Sequence, residues 1–174
     1  MVEQGPHGLL FMEITIRQYM DTDKSAIQNA IETLQDHEAA IDPLKLVVKK
    51  EGFGDRYMEY LAQRLKKDDG MIFVAESEGT VVGIVTAVIL RYADHEVLGR
   101  GSEKLYGYVT DLYVDIDFRD QQVGKRLMDR AEEYFRSKGC DFATVGVLAP
   151  NMGTYDFYKK IGYADRYVDF IKKI

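Results

Sequence analysis

Cysteine is nearly absent from the chain, since Cys140 is the only one in 174 residues. A single cysteine cannot form a disulfide within the chain, which is typical of proteins kept in a reducing compartment such as the cytoplasm. No histidine that could activate its thiol lies nearby in sequence. We therefore interpret Cys140 as a small core residue and not as a nucleophile.

Long apolar runs are absent as well. The longest, residues 81–90, is at most half of what a membrane-spanning helix needs. Residues 1–11 contain an early acidic residue and no apolar core, so they lack the pattern of a secretory signal. We expect a flexible leader at 1–11, with Met12 as an alternative start, and then a single domain at 12–174 with a cytoplasmic location.

The chain also lacks an excess of positive charge. Lysine and arginine together number 23 against 29 aspartates and glutamates, which gives a net charge of −6. Such a chain is a poor general binder of nucleic acid and of anionic membranes, so neither is expected as a partner. The same balance slightly favours a small cationic amine as a substrate. The sequence contains no internal repeat, low-complexity tract or interdomain linker.

Hydrophobic periodicity predicts a mixed α/β domain of the α+β kind. Six segments have the composition of strands, and four have apolar residues every three or four positions, as helices do. The predicted strands are 12–17, 71–76, 81–92, 105–115, 142–148 and 163–171, and the predicted helices are 23–38, 55–67, 122–138 and 152–160. This order, β-α-α-β-β-β-α-β-α-β, predicts a mostly antiparallel central sheet with helices on both faces. It argues against a Rossmann-type nucleotide fold, because strands and helices do not alternate and no G-x-G-x-x-G follows the first strand.

A strand–turn–helix unit at residues 108–126 has the features of an anion-binding site. The first backbone N–H groups of a helix lack partners, and the helix dipole places about half a positive charge there. Gly124 allows a ligand to approach the backbone closely, and Arg119, Lys125 and Arg126 add positive charge. We expect a phosphate or pyrophosphate at this turn.

The same turn carries a recognisable motif. Arg119-x-x-Gln122-x-Gly124 resembles the R/Q-x-x-G-x-G/A motif of the GNAT acetyltransferase superfamily, with a glutamine in place of the first glycine. The order of predicted elements resembles the GNAT fold too. The resemblance implies that the turn holds the pyrophosphate of acetyl-CoA, and that a strand bulge beside it offers backbone N–H groups to the thioester and pantetheine. The matching positions are Arg119, Asp120, Gln121, Gln122, Val123, Gly124 and Lys125 in the turn and Leu112, Tyr113 and Val114 in the strand.

A second motif lies at residues 151–163. Asn151, Tyr158 and Gly162 fall at the spacing of the superfamily's N-x-x-A-x-x-x-Y-x-x-x-G-F signature, which this segment resembles, with threonine and tyrosine at the alanine and phenylalanine positions. Acyl transfer from a thioester needs a proton for the departing thiolate, and a tyrosine hydroxyl with an ordinary pKa of about 10 is a reasonable donor. The resemblance implies that Asn151 and Tyr158 line the cofactor site and that Tyr158 is the general acid.

Neither motif assigns the general base. Superfamily members acting on polyamines, such as spermidine/spermine acetyltransferase, resemble the chain over residues 110–114 but have a glutamate in place of Thr110. The neighbouring Asp111 has three interpretations: a base that acts through water, a group that binds a cationic substrate, or a structural residue. His37 and Glu38, at the end of the first predicted helix, are alternative substrate-side groups, although such helix ends are usually just solvated.

Metal chemistry is not expected. Asp94-His95-Glu96, in a predicted loop at 93–104, has side chains that can bind metals. No second group of ligands stands at a recognisable spacing from it, so we predict that the protein has no metal site.

Together the motifs predict an N-acetyltransferase in which a primary amine, expected to be a small molecule, attacks acetyl-CoA directly. One alternative is a CoA-binding sensor or interaction module without catalysis, favoured by the departures at Gln122 and Thr110. Another is an acetyltransferase of protein lysines or N-termini. Dimers are common in the superfamily, so a homodimer is a further expectation, with Tyr163, Tyr167 and Phe170 of the last predicted strand at its edge.

Overall fold

The computed structural model describes residues 13–91 and 105–173. The predictions for the leader, the alternative start at Met12 and the loop with Asp94-His95-Glu96 lie outside these ranges. The strands are β1 (Ile14–Gln18), β2 (Met71–Ser77), β3 (Thr80–Arg91), β4 (Leu105–Val114) and β5 (Phe142–Val145), and the helices are α1 (Lys24–Ile41), α2 (Phe53–Lys67), α3 (Val123–Ser137) and α4 (Met152–Lys160). Within the described ranges, no helix is both long and apolar enough to cross a membrane.

The five strands form one sheet in the order β1-β2-β3-β4-β5. The first four are antiparallel to their neighbours, while β5 runs parallel to β4. The β2–β3 hairpin turns at Glu78 and Gly79, whose φ values of 48° and 77° match the twist of the strands that they join. The predicted fold class, a mixed and mostly antiparallel sheet, is confirmed.

Helices cover both faces of the sheet. Successive residues of β2 point to opposite faces, so Phe73 packs with α3 while Ile72 and Val74 pack with α1 and α2. Helix α3 packs closely on β4, because a side chain on Gly107 would collide with the ring of Phe135. Every apolar position predicted for α3 is buried, and these are Val123, Leu127, Ala131, Tyr134 and Phe135. Cys140 packs partly buried against the same core.

The last predicted strand, 163–171, is wrong, because this segment has no strand in the structure. Tyr163 packs against the core, but the large apolar side chains from Tyr167 onwards are exposed, from 66% at Ile171 to 94% at Phe170. Alternating apolar residues favour an extended chain, but a strand also needs a neighbour that accepts its hydrogen bonds. None of the described strands pairs with this segment.

The strand predicted at 142–148 is also shorter than expected, since β5 ends at Val145. Its pairing with β4 stops at the pair Val109–Val145, whereas β4 continues to Val114. The two strands therefore part half-way along β4, and this separation positions the site described below.

Candidate functional site

The opening between β4 and β5 exposes one edge of β4. From Asp111 to Val114 the strand keeps its pairing to β3, but it has no partner on the β5 side among the described residues. Backbone groups that point to that side have no strand partner and can bind a ligand, except the carbonyl of Val114, which accepts a hydrogen bond from Arg119. The predicted bulge is present, but it lies at Thr110. Thr86 of β3 pairs with Asp111 and the next residue, Ala87, pairs with Val109, which leaves Thr110 as the extra residue. The residues predicted to form it, Leu112, Tyr113 and Val114, pair regularly with β3.

The turn between β4 and α3 is built from two residues in the left-handed conformation. Asp120 has φ 60° and Gln122, the residue before the first turn of α3, has φ 62°. Left-handed residues in a turn bring successive N–H groups to one side, which makes an anion-binding concavity. Glycine is the residue that adopts this conformation without strain. Gln122 therefore keeps the backbone shape expected of the glycine that it replaces.

Side chains around the turn are held by local hydrogen bonds. Arg119 Nε donates to the carbonyl of Val114 at 3.1 Å and ties the turn to the end of β4. Lys125 was predicted to add charge at the turn, but its Nζ lies 2.6 Å from Asp129, one helical turn further along α3. The positive character of the turn thus rests on the start of the helix and on arginine more than on Lys125.

The two motifs meet at Gly124. A Cβ on Gly124 would lie 3.3 Å from the ring of Phe157 in α4 and 3.7 Å from the side chain of Val114. The absence of a side chain thus lets the start of α3, the end of β4 and α4 come together. Asn151 begins α4, where its Oδ1 accepts a hydrogen bond from the backbone N–H of Thr154 at 3.3 Å.

Tyr158 lies in α4 with only 7% of its surface exposed. Its ring packs against those of Phe157 and Tyr163. Burial raises the pKa of its hydroxyl above the ordinary value, and the carboxylate of Glu38 raises it further. Among the described residues, no group accepts a hydrogen bond from this hydroxyl. Tyr158 is therefore fully protonated at neutral pH, and its proton is available to a ligand.

Asp111 is a buried carboxylate with two hydrogen-bond donors. Its Oδ1 accepts from the hydroxyl of Tyr57 at 2.6 Å, and its Oδ2 accepts from the hydroxyl of Thr110 at 2.6 Å. Burial raises the pKa of Asp111, and these donors offset the rise only in part. A carboxyl group with a raised pKa in a protein interior is typical of functional sites. Tyr57, on α2, was missed by the sequence analysis, because its position there indicates only the apolar face of a helix.

Glu38 is the third ionisable group of this region. It lies half-buried in the last turn of α1, which contains no basic residue. A carboxylate at that end of a helix is disfavoured by the helix dipole. Burial raises the pKa of Glu38, and the negative charge of Asp111 raises it further. The neighbouring alternative, His37, is exposed.

A sequence model of the Acetyltransferase (GNAT) family matches residues 30–163, which is most of the chain. The chain belongs to the GNAT acetyltransferase family. The match confirms the family that the two motifs predict and, with it, the enzyme class, an acetyl-CoA-dependent acyltransferase.

Two curated proteins illustrate the similarity of this GNAT chain to its relatives. An uncharacterised N-acetyltransferase of Methanocaldococcus jannaschii is 27% identical over 124 residues, covering 71% of the chain and 51% of the relative. The thialysine N-ε-acetyltransferase of Bos taurus is 25% identical over 156 residues, covering 87% of the chain and 85% of the relative. The chain thus spans about half the length of the archaeal relative.

Solved structures share the fold at lower identity. The glucosamine-6-phosphate N-acetyltransferase of Arabidopsis thaliana superimposes with a TM-score of 0.65 and 20% identity, covering 92% of this chain and 98% of that one. The aminoglycoside N-acetyltransferase AAC(6')-Iy in complex with CoA gives a TM-score of 0.68 and 18% identity, covering 98% and 99%. At these identities the likeness shows that the fold is common to all three chains.

This GNAT chain departs from its family's pattern where a carboxylate would be expected. Thr110 stands in the bulge of β4 at the position where polyamine-acting members have a glutamate. Its hydroxyl donates to Asp111, so the pair keeps a carboxylate next to that position. The bulge also decides how Asp111 is placed, because an extra residue changes the alternation of side chains along a strand.

Proposed function

We propose that this chain transfers an acetyl group from acetyl-CoA to a primary amine by direct attack, and that the acceptor is a small molecule. The observation that carries the proposal is the opening between β4 and β5, with the left-handed turn after β4, Asp111 on β4 and Tyr158 in the cluster that contains Val109 and Val145. Relatives that are named as N-acetyltransferases support a nitrogen acceptor.

The residues of the opening fit acetyl-CoA. The left-handed turn at Asp120 and Gln122 and the unpaired N–H groups of α3 suit a pyrophosphate. The free edge of β4 over residues 112–114 offers backbone groups to an extended amide-containing arm, as the edge of a sheet does to a peptide. Acetyl-CoA supplies the activated acetyl thioester when it is bound, while the chain itself provides binding, orientation and proton transfer.

Tyr158 is assigned the role of general acid. As the amine nitrogen forms its bond to the acetyl carbon, the carbon–sulfur bond breaks and its electron pair goes to sulfur. The Tyr158 hydroxyl gives its proton to that sulfur, and the raised pKa ensures that the proton is present at neutral pH.

Asp111 is assigned the role of proton acceptor for the amine. Tyr57 donates its hydroxyl proton to Asp111 while the hydroxyl oxygen remains free to accept a proton from the attacking amine. Thr110 holds the other carboxylate oxygen in place. The buried setting makes Asp111 a stronger base than an exposed carboxylate would be.

Replacement of Asp111 by asparagine tests this role. We expect Asp111→Asn to lower kcat by about 10²-fold, the usual contribution of a general base. Because the pKa of Asp111 is raised in the folded protein, its contribution to stability is present below the unfolded pKa of about 4 and is lost as pH rises through the folded value. Asparagine does not titrate. Between the unfolded and the folded pKa of Asp111, the free energy of unfolding of the variant should therefore rise relative to that of the wild type. Steady-state kinetics would measure kcat, and urea unfolding from about pH 4 to about pH 8 would measure the free energy of unfolding.

Loss of activity combined with loss of stability at neutral pH would instead indicate a structural role for Asp111. Tyr57→Phe is the companion variant, because it removes the hydroxyl that contacts Asp111 and leaves the carboxylate itself. A similar fall in kcat in both variants would support the pair as one proton-transfer unit.

The overall proposal is tested by measuring CoA release from acetyl-CoA over a broad panel of amines, together with calorimetric titration of acetyl-CoA alone. Turnover with at least one amine is the expected result. Binding of acetyl-CoA without turnover on the panel would overturn the proposal in favour of a catalytically silent CoA-binding module, the alternative suggested by Gln122 and Thr110.

We also propose that a second copy of the chain covers the exposed apolar residues near the C-terminus. Tyr167 is 77% exposed and Phe170 94% exposed, although aromatic side chains of this size are usually buried. Sedimentation equilibrium of the wild type should give a dimer mass, and Tyr167→Ser with Phe170→Ser should shift it to the monomer. A monomeric wild type would refute this pairing.

A further inference from the structure

A cavity lies on the α2 side of the molecule. Its volume is about 260 Å³, and its lining consists of Val48, Lys50, Phe53, Arg56, Tyr57 and Tyr60. Its three aromatic rings are neighbours, with centroids 5.5 Å apart between Phe53 and Tyr57 and 5.8 Å apart between Tyr57 and Tyr60. Such a surface suits a flat apolar group, which can stack on the rings.

The charges of the cavity have the opposite sign to the chain as a whole. Its charged lining residues, among those that the structure describes, are the cations Lys50 and Arg56. Arg56 is held at the start of α2 by hydrogen bonds to the backbone carbonyls of Gly52 and Glu51. Lys50 and Phe53 also line a neighbouring cavity, which contains the acidic residues Glu32, Glu51 and Asp55. A fixed arginine beside a lysine favours a carboxylate ligand.

Tyr57 connects this cavity to the proposed proton acceptor. Its side chain contributes to the cavity wall, while its hydroxyl donates to Asp111 at 2.6 Å. The lining of the cavity therefore contains two cations and, in Tyr57, a side chain that is hydrogen-bonded to Asp111. That arrangement suits a molecule with a negative end and an amine end separated by a flat body.

We infer that the cavity holds the acyl acceptor and selects an amine with a flat apolar body and a carboxylate at the end opposite the amine. The inference rests on the proposed acetyl transfer and names its substrate class. It reverses the preference for purely cationic amines that the net charge of −6 suggests, because the charged residues of the cavity lining, among those that the structure describes, are the cations Lys50 and Arg56.

Matched amines test the inference through turnover. The probes are 4-(aminomethyl)benzoate and its neutral amide, which differ only in the charge of the distal group. We expect kcat/KM for the acid to exceed that for the amide by about tenfold, as for one charge-assisted hydrogen bond. Lys50→Gln with Arg56→Gln should abolish the preference, whereas Lys66→Gln, an exposed change on α2 outside the cavity, should keep it. Equal use of acid and amide, or a preference for spermidine over both, would overturn the inference.

A second measurement separates this inference from the proposed function. Titration with 4-methylbenzoate and 4-methylbenzamide, which have no amine to acetylate, reports on the cavity without catalysis. If the protein binds the acid more tightly than the amide and the double variant loses this difference, the inferred ligand class is supported. If no amine is acetylated in that case, only the proposed acetyl transfer is refuted. Acetyl transfer to other amines with no preference for the acid overturns the inference and leaves the proposed function standing.

Discussion

Tyr158→Phe should lower kcat for acetyl transfer by about 10²-fold or more while acetyl-CoA binding is retained, since general acids usually contribute 10²–10⁴-fold. The hydroxyl makes no hydrogen bond to the described residues, and the ring packs between Phe157 and Tyr163. The substitution therefore removes a proton donor without disturbing the packing, and the melting temperature should not fall. Stopped assays of CoA release and calorimetric titration of acetyl-CoA would measure the two quantities.

Tyr155→Phe is the matched control for this prediction. Tyr155 lies on the same helix, and its hydroxyl donates to Asp165 at 3.0 Å, away from the proposed chemistry. We expect its kcat to equal that of the wild type. Full activity of Tyr158→Phe would remove this residue from the mechanism, whichever amine is used.

Gly124→Glu should abolish acetyl-CoA binding, with a loss of at least about 10²-fold in affinity, because a like charge placed against a phosphate costs several kcal/mol. Its Cβ would also lie 3.3 Å from Phe157, so the ring must shift. An acidic residue in the first turn of a helix is otherwise favourable. Weakened binding would therefore result from repulsion between the glutamate and the phosphate, and not from unfolding of α3. Calorimetric titration of the folded variant is the measurement.

Two further substitutions separate charge from shape at the turn. Gly124→Ala adds the Cβ without the carboxylate and should weaken binding only slightly if Phe157 adjusts. Gln122→Gly relieves the left-handed backbone strain, worth about 1 kcal/mol, and should leave binding intact and raise the melting temperature. Tight binding by Gly124→Glu would place the pyrophosphate elsewhere than the 119–125 turn.

Helix α3 shows how much a local pattern can predict. The helical period places apolar residues on one face within fifteen residues, and all five that the pattern assigns to the core are buried. The two motifs were also recognisable, because each lies within a short segment whose backbone makes its own turn or cap. The left-handed conformation at Gln122 was not predictable from its residue type, which usually avoids it.

Strand pairing depended on more than the local pattern. Residues 163–171 alternate like a strand, yet none of the described strands pairs with them, and β5 ends at Val145 although apolar residues continue to Leu148. A segment becomes a strand when a neighbouring edge accepts its hydrogen bonds, and that edge is distant in sequence. The separation of β4 from β5, on which the site depends, is therefore a property of the assembled sheet.

The sequence by itself determined the order of elements up to α4, the family and the two motif segments, because periodicity and short spacings act within a few turns of chain. Only the tertiary structure decided that Tyr57 meets Asp111, 54 residues away, and that Lys50 and Arg56 share one cavity in an acidic chain. Composition averages charge over the whole surface, whereas a ligand responds to the few groups that packing brings within several ångströms of it.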